Sequence, residues 1–207
     1  MHVETMSLGQ LGTNGYIIYQ DDQAIIIDPG AEAERIRAFI TKEALNPIAI
    51  LLTHAHFDHI GAVDEIRDTY SIPVYLHESE AEWLTDPSLN SSKYFPLGEI
   101  TARPADGYFK IGKMVIGSFK FEVVHTPGHS PGGVSFIFET DQLAFVGDCL
   151  FRMGIGRTDL PGGDHVTLID SVRNKIYRLD ANYKVLSGHG PETTIGYEKV
   201  HNPFVTL

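Results

Sequence analysis

PIAILLTHAHFDHIGA, residues 47–62, changes character at its midpoint. The first half is a nearly continuous apolar run, the pattern of a strand buried on both faces. Then His54, His56, Asp58 and His59 fall within six positions. A buried strand that ends in a cluster of imidazoles and a carboxylate aims metal-ligating side chains from a rigid base.

The same device recurs three times further along the chain. FEVVH leads into the turn ending at His129, LAFVG leads into Asp148, and KVLSG leads into His189. Seven donors exceed the four that one tetrahedral ion takes, and they suit two ions sharing one carboxylate. His54, His56 and His129 would hold one ion as neutral imidazoles. Asp58, His59 and His189 would hold the second, with Asp148 as the bridge. The remaining shared position belongs to water, deprotonated near neutral pH between ions about 3.5–4 Å apart. Asp58 would also orient that hydroxide.

Outward from this core, short β-type runs dominate. Residues 15–20 and 24–28 flank a DDQ turn and read as a hairpin, and residues 31–45 space their apolar side chains as an amphipathic helix. A helix is expected at 59–70, a strand at 72–76 and a second short helix at 78–84. Residues 85–107 hold three prolines and paired serines without a clear period, the mark of a long and often functional loop. Strands are expected at 113–117, 119–125, 133–139, 142–147 and 183–187, with a helix at 164–179. Strands in two blocks, each with its own helices, predict an α+β chain folded as a four-layer αββα sandwich. One domain over residues 1–207 fits this pattern better than two, with no helical domain after it.

Composition narrows the function. The 207 residues carry a net charge of −11, which disfavours nucleic acid, whose binding depends on Lys and Arg displacing counterions. An anionic membrane surface is disfavoured for the same reason, and no apolar run approaches the length of a span. The N-terminus has neither the basic start nor the apolar stretch of a secretory signal. A single cysteine, Cys149, leaves no internal disulfide framework. A cytoplasmic monomer or small homo-oligomer acting on a small molecule is the expectation.

THAHFDHIGA, HTPGHSPGG, FVGDCLF and SGHGPETTIG resemble the ordered motifs of the metallo-β-lactamase superfamily. Within it, IGRTDLPGGD (155–164) and TTIGYEKVHNPF (193–204) resemble the short glyoxalase II-like hydrolases. The resemblance covers nearly the whole chain. It implies the αββα fold, two divalent ions (zinc first, with iron or manganese also found in the family), and the ligand assignment given above. It also implies hydrolysis of thioesters of the S-2-hydroxyacylglutathione type by the bridging hydroxide. A thiol has a pKa near about 8.5, so a thiolate leaves without a strong general acid.

Two features differ from the full-length enzymes of that kind. Those carry an extra helical domain that supplies much of the glutathione surface, and they lack the GRTD spelling, which recurs in a persulfide dioxygenase branch. The alternative is therefore a mononuclear iron dioxygenase acting on persulfides through His54, His129 and Asp148.

Other residues have competing roles. Arg157 could anchor a substrate carboxylate, although an ion pair with Asp159 is the favoured reading. Asn90, Ser91 and Tyr94 could line the substrate pocket from the long loop. Cys149 follows Asp148 on a strand end and reads as a buried, inert thiol. His125 reads as a core residue or one that orients a ligand.

Overall fold

Strand β4 (Asn46–Leu51) bears out the reading of the apolar run: Ala49, Ile50, Leu51 and the following Leu52 are fully buried. In the computed structural model, which describes residues 1–205, this strand lies between β3 (Gln23–Ile27) and β5 (Val74–Leu76), parallel to both. The sheet is completed by β1 (His2–Leu8), β2 (Thr13–Gln20) and β6 (Gly107–Tyr108), in the order β1-β2-β3-β4-β5-β6. Strands β2 and β3 form the expected hairpin, with Gln20 opposite Gln23 and Asp21 in the left-handed region of the turn.

The parallel strands need crossovers, and helices supply them. Between β3 and β4 runs α1 (Ala33–Lys42), which buries Ala33, Ile36 and Ile40 and carries Glu34 in its first turn and Lys42 in its last. Those charges complement the helix dipole at both ends. Between β4 and β5 the expected single helix is two, α2 (Phe57–Ile60) and α3 (Val63–Tyr70). A pair of glycines in close approach lies at the break. A Cβ on Gly30 would lie 1.8 Å from the Asp58 carbonyl oxygen, and one on Gly61 would lie 2.3 Å from that of Gly30. The loop after β3 is thus laid directly against the helix break, where Ala62 N–H donates to Pro29 O at 2.9 Å.

A second correction concerns residues 78–84, expected as a helix. Only a 3₁₀ turn over Glu78–Glu80 forms, followed by further turns. Glu80 is fully buried, and its carboxylate accepts the Ala55 N–H at 2.6 Å. That bond ties the segment to the turn that follows β4.

The chain divides into two compact units, residues 1–109 with 115–119, and residues 110–114 with those from 120 on. The second sheet contains β7 (Gly112–Ile116), β8 (Phe119–His125), β9 (Val134–Phe138), β10 (Leu143–Gly147), β13 (Lys184–Ser187) and β14 (Thr193–Thr194). Its order is β14-β13-β10-β9-β8-β7, with β10 and β13 parallel. A two-stranded ribbon, β11 (Leu150–Phe151) and β12 (Gly154–Ile155), follows β10.

Helix α4 (His165–Asn174) is shorter than the predicted 164–179, giving way to a 3₁₀ turn over Ile176–Arg178. Asp164 caps it, accepting from Thr167 N at 2.7 Å. The chain continues into α5 (Ile195–His201), capped by Thr194, which the sequence reading did not anticipate. Each unit has its own apolar core. Ile17, Ile26, Ile50, Val63 and Leu76 lie in the first, and Val146, Leu168, Val172, Val185 and Ile195 in the second. Among the described residues no helix is long and apolar enough to cross a membrane.

Candidate metal centre

Strands that run parallel end on the same side, so the residues just past their C-terminal ends become neighbours. At the ends of β3 and β4 these are Asp28 and Thr53. Asp28 is buried and left-handed, with φ 49°. Its carboxylate accepts from Thr53 N at 2.7 Å, from Thr53 Oγ1 at 2.6 Å and from His59 Nδ1 at 3.0 Å.

These bonds fix two imidazoles. His59 Nδ1 faces a carboxylate, so it carries the proton and leaves Nε2 with the lone pair. Thr53 spends its hydroxyl proton on Asp28 and can only accept from His54 Nδ1, 3.1 Å away. His54 Nε2 is therefore a lone-pair donor as well.

The three candidate ligand imidazoles of this unit, His54, His56 and His59, are buried, and their rings lie together. The centroids of His54 and His56 are 4.8 Å apart and those of His54 and His59 are 4.1 Å apart. His56 packs in turn against Trp83, with ring centroids 5.6 Å apart. Asp58, one turn along, has Oδ2 3.6 Å from His59 Nε2 and receives a hydrogen bond from the buried Thr13 Oγ1 at 2.7 Å.

The second unit repeats the design. Parallel β10 and β13 bring Asp148 and His189 side by side beyond their ends, where Gly188 N–H donates to Gly147 O at 2.8 Å. The turn after β8 holds His129, which is 6% exposed, and its Nδ1 donates to the Arg157 carbonyl at 2.8 Å. His129 thus also keeps its lone pair on Nε2. That atom and His189 Nε2 each lie 3.5 Å from the same oxygen, Asp148 Oδ2. The packing here leaves no spare room, since a Cβ on Gly156 would come within 2.0 Å of Asp148 O and 3.0 Å of His129 Nδ1.

Neutral imidazoles and carboxylates are the donor set of zinc, iron and manganese sites. All seven residues are among the described His and Asp side chains that could hold a metal ion. The residues fit a divalent metal by donor type and by the direction in which three of the imidazoles present their lone pairs.

The expected substrate contacts fare differently. Asn90 and Ser91 are fully buried. The Asn90 amide donates to Ile100 O at 2.8 Å and its oxygen accepts from Ser92 N at 3.0 Å. Ser91 takes part in the same loop through its backbone oxygen, which accepts from Tyr94 N at 3.0 Å. Tyr94 is exposed.

Arg157 grips Asp159 through two 2.7 Å bonds, as the favoured reading required, and that fork holds the Asp159 carboxyl down to about 2. Its backbone oxygen, rather than its guanidinium, reaches His129. Cys149 is buried, and burial pushes its thiol up to about 12. His125 Nε2 pairs with Pro131 O at 2.9 Å and so braces the His129 turn.

Two positioning residues, Asp28 and Thr13, escaped the sequence reading. The only signal for Asp28 was a carboxylate closing the apolar run AIIID. Thr13 gave none.

Residues 8–189 match the family model described as "Metallo-beta-lactamase superfamily". A probable metallo-hydrolase, YqgX of Bacillus subtilis, is 49% identical over 97% of this chain and 95% of its own. The hydroxyacylglutathione hydrolase GloC of Haemophilus influenzae is 38% identical over 99% of this chain and 98% of its own. Among solved structures, the BLEG-1 B3 metallo-beta-lactamase superposes with a TM-score of 0.97 at 52% identity, over the whole of both chains. The di-iron-bound form of TTHA1623 superposes with a TM-score of 0.87 at 37% identity, over 98% of this chain and all of the other.

The chain belongs to the metallo-β-lactamase superfamily and has its fold. Its relatives include metallo-hydrolases, and its His and Asp groups are those of a divalent-metal site.

Proposed function

We propose that the chain is a dinuclear metal-dependent hydrolase of thioesters of the S-2-hydroxyacylglutathione type. One ion would be held by His54, His56 and His129, the other by Asp58, His59 and His189, with Asp148 shared. Zinc is the expected metal, and the di-iron form of TTHA1623 makes iron the next choice. The observation that carries the reading is the position of Asp148 Oδ2, equidistant at 3.5 Å from the Nε2 atoms of His129 and His189. One carboxylate oxygen placed between a nitrogen from each of the two proposed ligand sets is what a shared ligand would require.

When bound, the ions supply Lewis acidity toward the thioester carbonyl and a hydroxide nucleophile at neutral pH. The chain's own contribution is orientation. Asp28 holds His59 in one tautomer, Thr53 does so for His54, the Arg157 carbonyl does so for His129, and Thr13 aims Asp58. No general acid is needed for the departing thiolate.

The relation to GloC favours a hydroxyacylglutathione substrate. The iron dioxygenase alternative uses His54, His129 and Asp148 and leaves His59 and Asp58 without a role. Their dedicated partners, Asp28 and Thr13, argue for a full seven-ligand set. A β-lactam is the second substrate to test, because the BLEG-1 structure is described as a B3 metallo-beta-lactamase.

The experiment is thiol release from S-lactoylglutathione by the zinc-loaded protein, with His54→Ala as control. Release that the variant loses supports the reading. No release, together with oxygen uptake on a persulfide by the iron-loaded protein, overturns it.

A further inference from the structure

Beside Asp58, within the first unit, lies a cavity of about 190 Å³. Its walls are Leu8, Leu11, Ala31, Phe57, Leu97 and Ile100. Of the polar side chains at its edge, Thr13 is committed to Asp58 and Gln10 is exposed. Leu8 and Phe57 are buried and form its floor, whereas Leu11 stands at the tip of the β1–β2 hairpin, 43% exposed, as its rim. The cavity therefore has one polar end, at a proposed metal ligand, and an apolar remainder.

We propose that this cavity receives the acyl group of the substrate, and that the enzyme prefers straight-chain apolar acyl groups of up to about six carbons over acetyl. The inference rests on the thioester hydrolase reading. Size sets the limit: an apolar cavity of about 150 Å³ admits benzene, so one somewhat larger takes a chain of about six carbons.

Chemistry sets the side. The carrier thiols of the cell, glutathione and coenzyme A among them, are charged and hydrogen-bonding, and burying such groups against leucine and phenylalanine without partners is unfavourable. The acyl chain is the part of a thioester that gains by entering. A lactoyl group fits but leaves most of the space unfilled.

The test measures kcat/KM of the zinc-loaded protein on glutathione thioesters from acetyl to octanoyl. In parallel, calorimetry follows binding of the corresponding straight-chain carboxylates, the reaction products. Each methylene that becomes fully buried is worth up to about fourfold. Both quantities should rise at least about tenfold from two carbons to six and level off by eight. Leu97→Phe, which fills the cavity from a half-buried loop position, and Leu11→Ala, which removes the rim, should each flatten both slopes.

Carboxylate affinity that does not grow with chain length overturns the inference, whatever the turnover. Hydrolysis that is flat across the acyl series overturns the acyl assignment and leaves the hydrolase reading standing. Affinity that grows with length while no thioester is cleaved overturns the hydrolase reading and the acyl assignment with it.

Discussion

Asp28 Oδ2 and His59 Nδ1 lie 3.0 Å apart with both side chains fully or almost fully buried, and the same carboxylate also accepts both donors of Thr53. A single acid thereby sets the tautomer of His59 directly and that of His54 through the threonine hydroxyl. A carboxylate behind a ligating imidazole raises its basicity and fixes its ring, and losing such a partner typically weakens metal binding about 10–100-fold.

Asp28→Asn keeps the shape but presents an amide that can donate to His59 Nδ1, which drives the imidazole proton to Nε2. We expect the metal affinity of the variant, measured by competition with a chelator of known strength, to fall by about one to two orders of magnitude. An affinity equal to that of the parent would show that Asp28 serves folding only.

Thr13 acts on the other side of the cluster, with Oγ1 donating to Asp58 Oδ2 at 2.7 Å from a fully buried position. Thr13→Val is nearly isosteric and removes a hydrogen bond to a charged group, an interaction worth about 1.5–3 kcal/mol. The second ion should be lost selectively, so that metal content after dialysis falls from two per chain toward one. Thr13→Ser should restore it. Equal metal content in all three proteins would exclude this positioning role.

Gly156 is a steric requirement of the second half-site. Alanine there would put a carbon 2.0 Å from Asp148 O and 3.0 Å from His129 Nδ1, so the backbone must shift. Overpacking of this kind costs about 1–3 kcal/mol. For a chain of this size that lowers Tm by several degrees, since about 1 kcal/mol corresponds to about 2–4 °C. Metal affinity should drop as well. A Gly156→Ala protein with parental Tm and metal content would mean that the ribbon over Leu150–Ile155 yields freely.

The strands that lead to the candidate ligands were legible because each is a short apolar run broken by a His or Asp, and β8 has the predicted boundaries, Phe119–His125. What stayed hidden follows physical rules of its own. β1, HVETMSL, mixes exposed and buried positions with little alternation and has no signal apart from its pairing with β2. The two-residue strands β6, β11, β12 and β14 have too few side chains to show a period. Residues 78–84 have the composition of a helix, yet the buried Glu80 carboxylate serves the Ala55 N–H across 25 positions. Sequence distance also concealed the positioning residues. Asp28 lies 31 positions from His59, and Thr13 lies 45 from Asp58. Ligands announce themselves through residue type, whereas the groups that aim them are ordinary side chains brought near by parallel strands and hairpins.

The Arg157–Asp159 pair gives the chain a pH-dependent element next to the His129 turn. The guanidinium fork, through its hydrogen bonds first, holds the Asp159 carboxyl down to about 2, against an ordinary value of 3.8. A carboxyl with a depressed folded-state pKa adds stability that is fully present above its unfolded pKa and is lost as pH falls through the folded value. The window is therefore about pH 4 to pH 2. Both side chains are largely exposed, 51% for Arg157 and 67% for Asp159, so solvent screening keeps the effect small. Asp159→Asn should lower the urea midpoint slightly at pH 6–8, and the difference from the parent should shrink toward zero as pH approaches 2. The backbone oxygen of Arg157, not its guanidinium, holds His129 Nδ1. Metal content at pH 7 should accordingly survive the substitution. A stability gap that persists unchanged to pH 2 would assign the effect of the substitution to something other than the ion pair, and loss of metal at neutral pH would show that the fork is needed to place the Arg157 carbonyl.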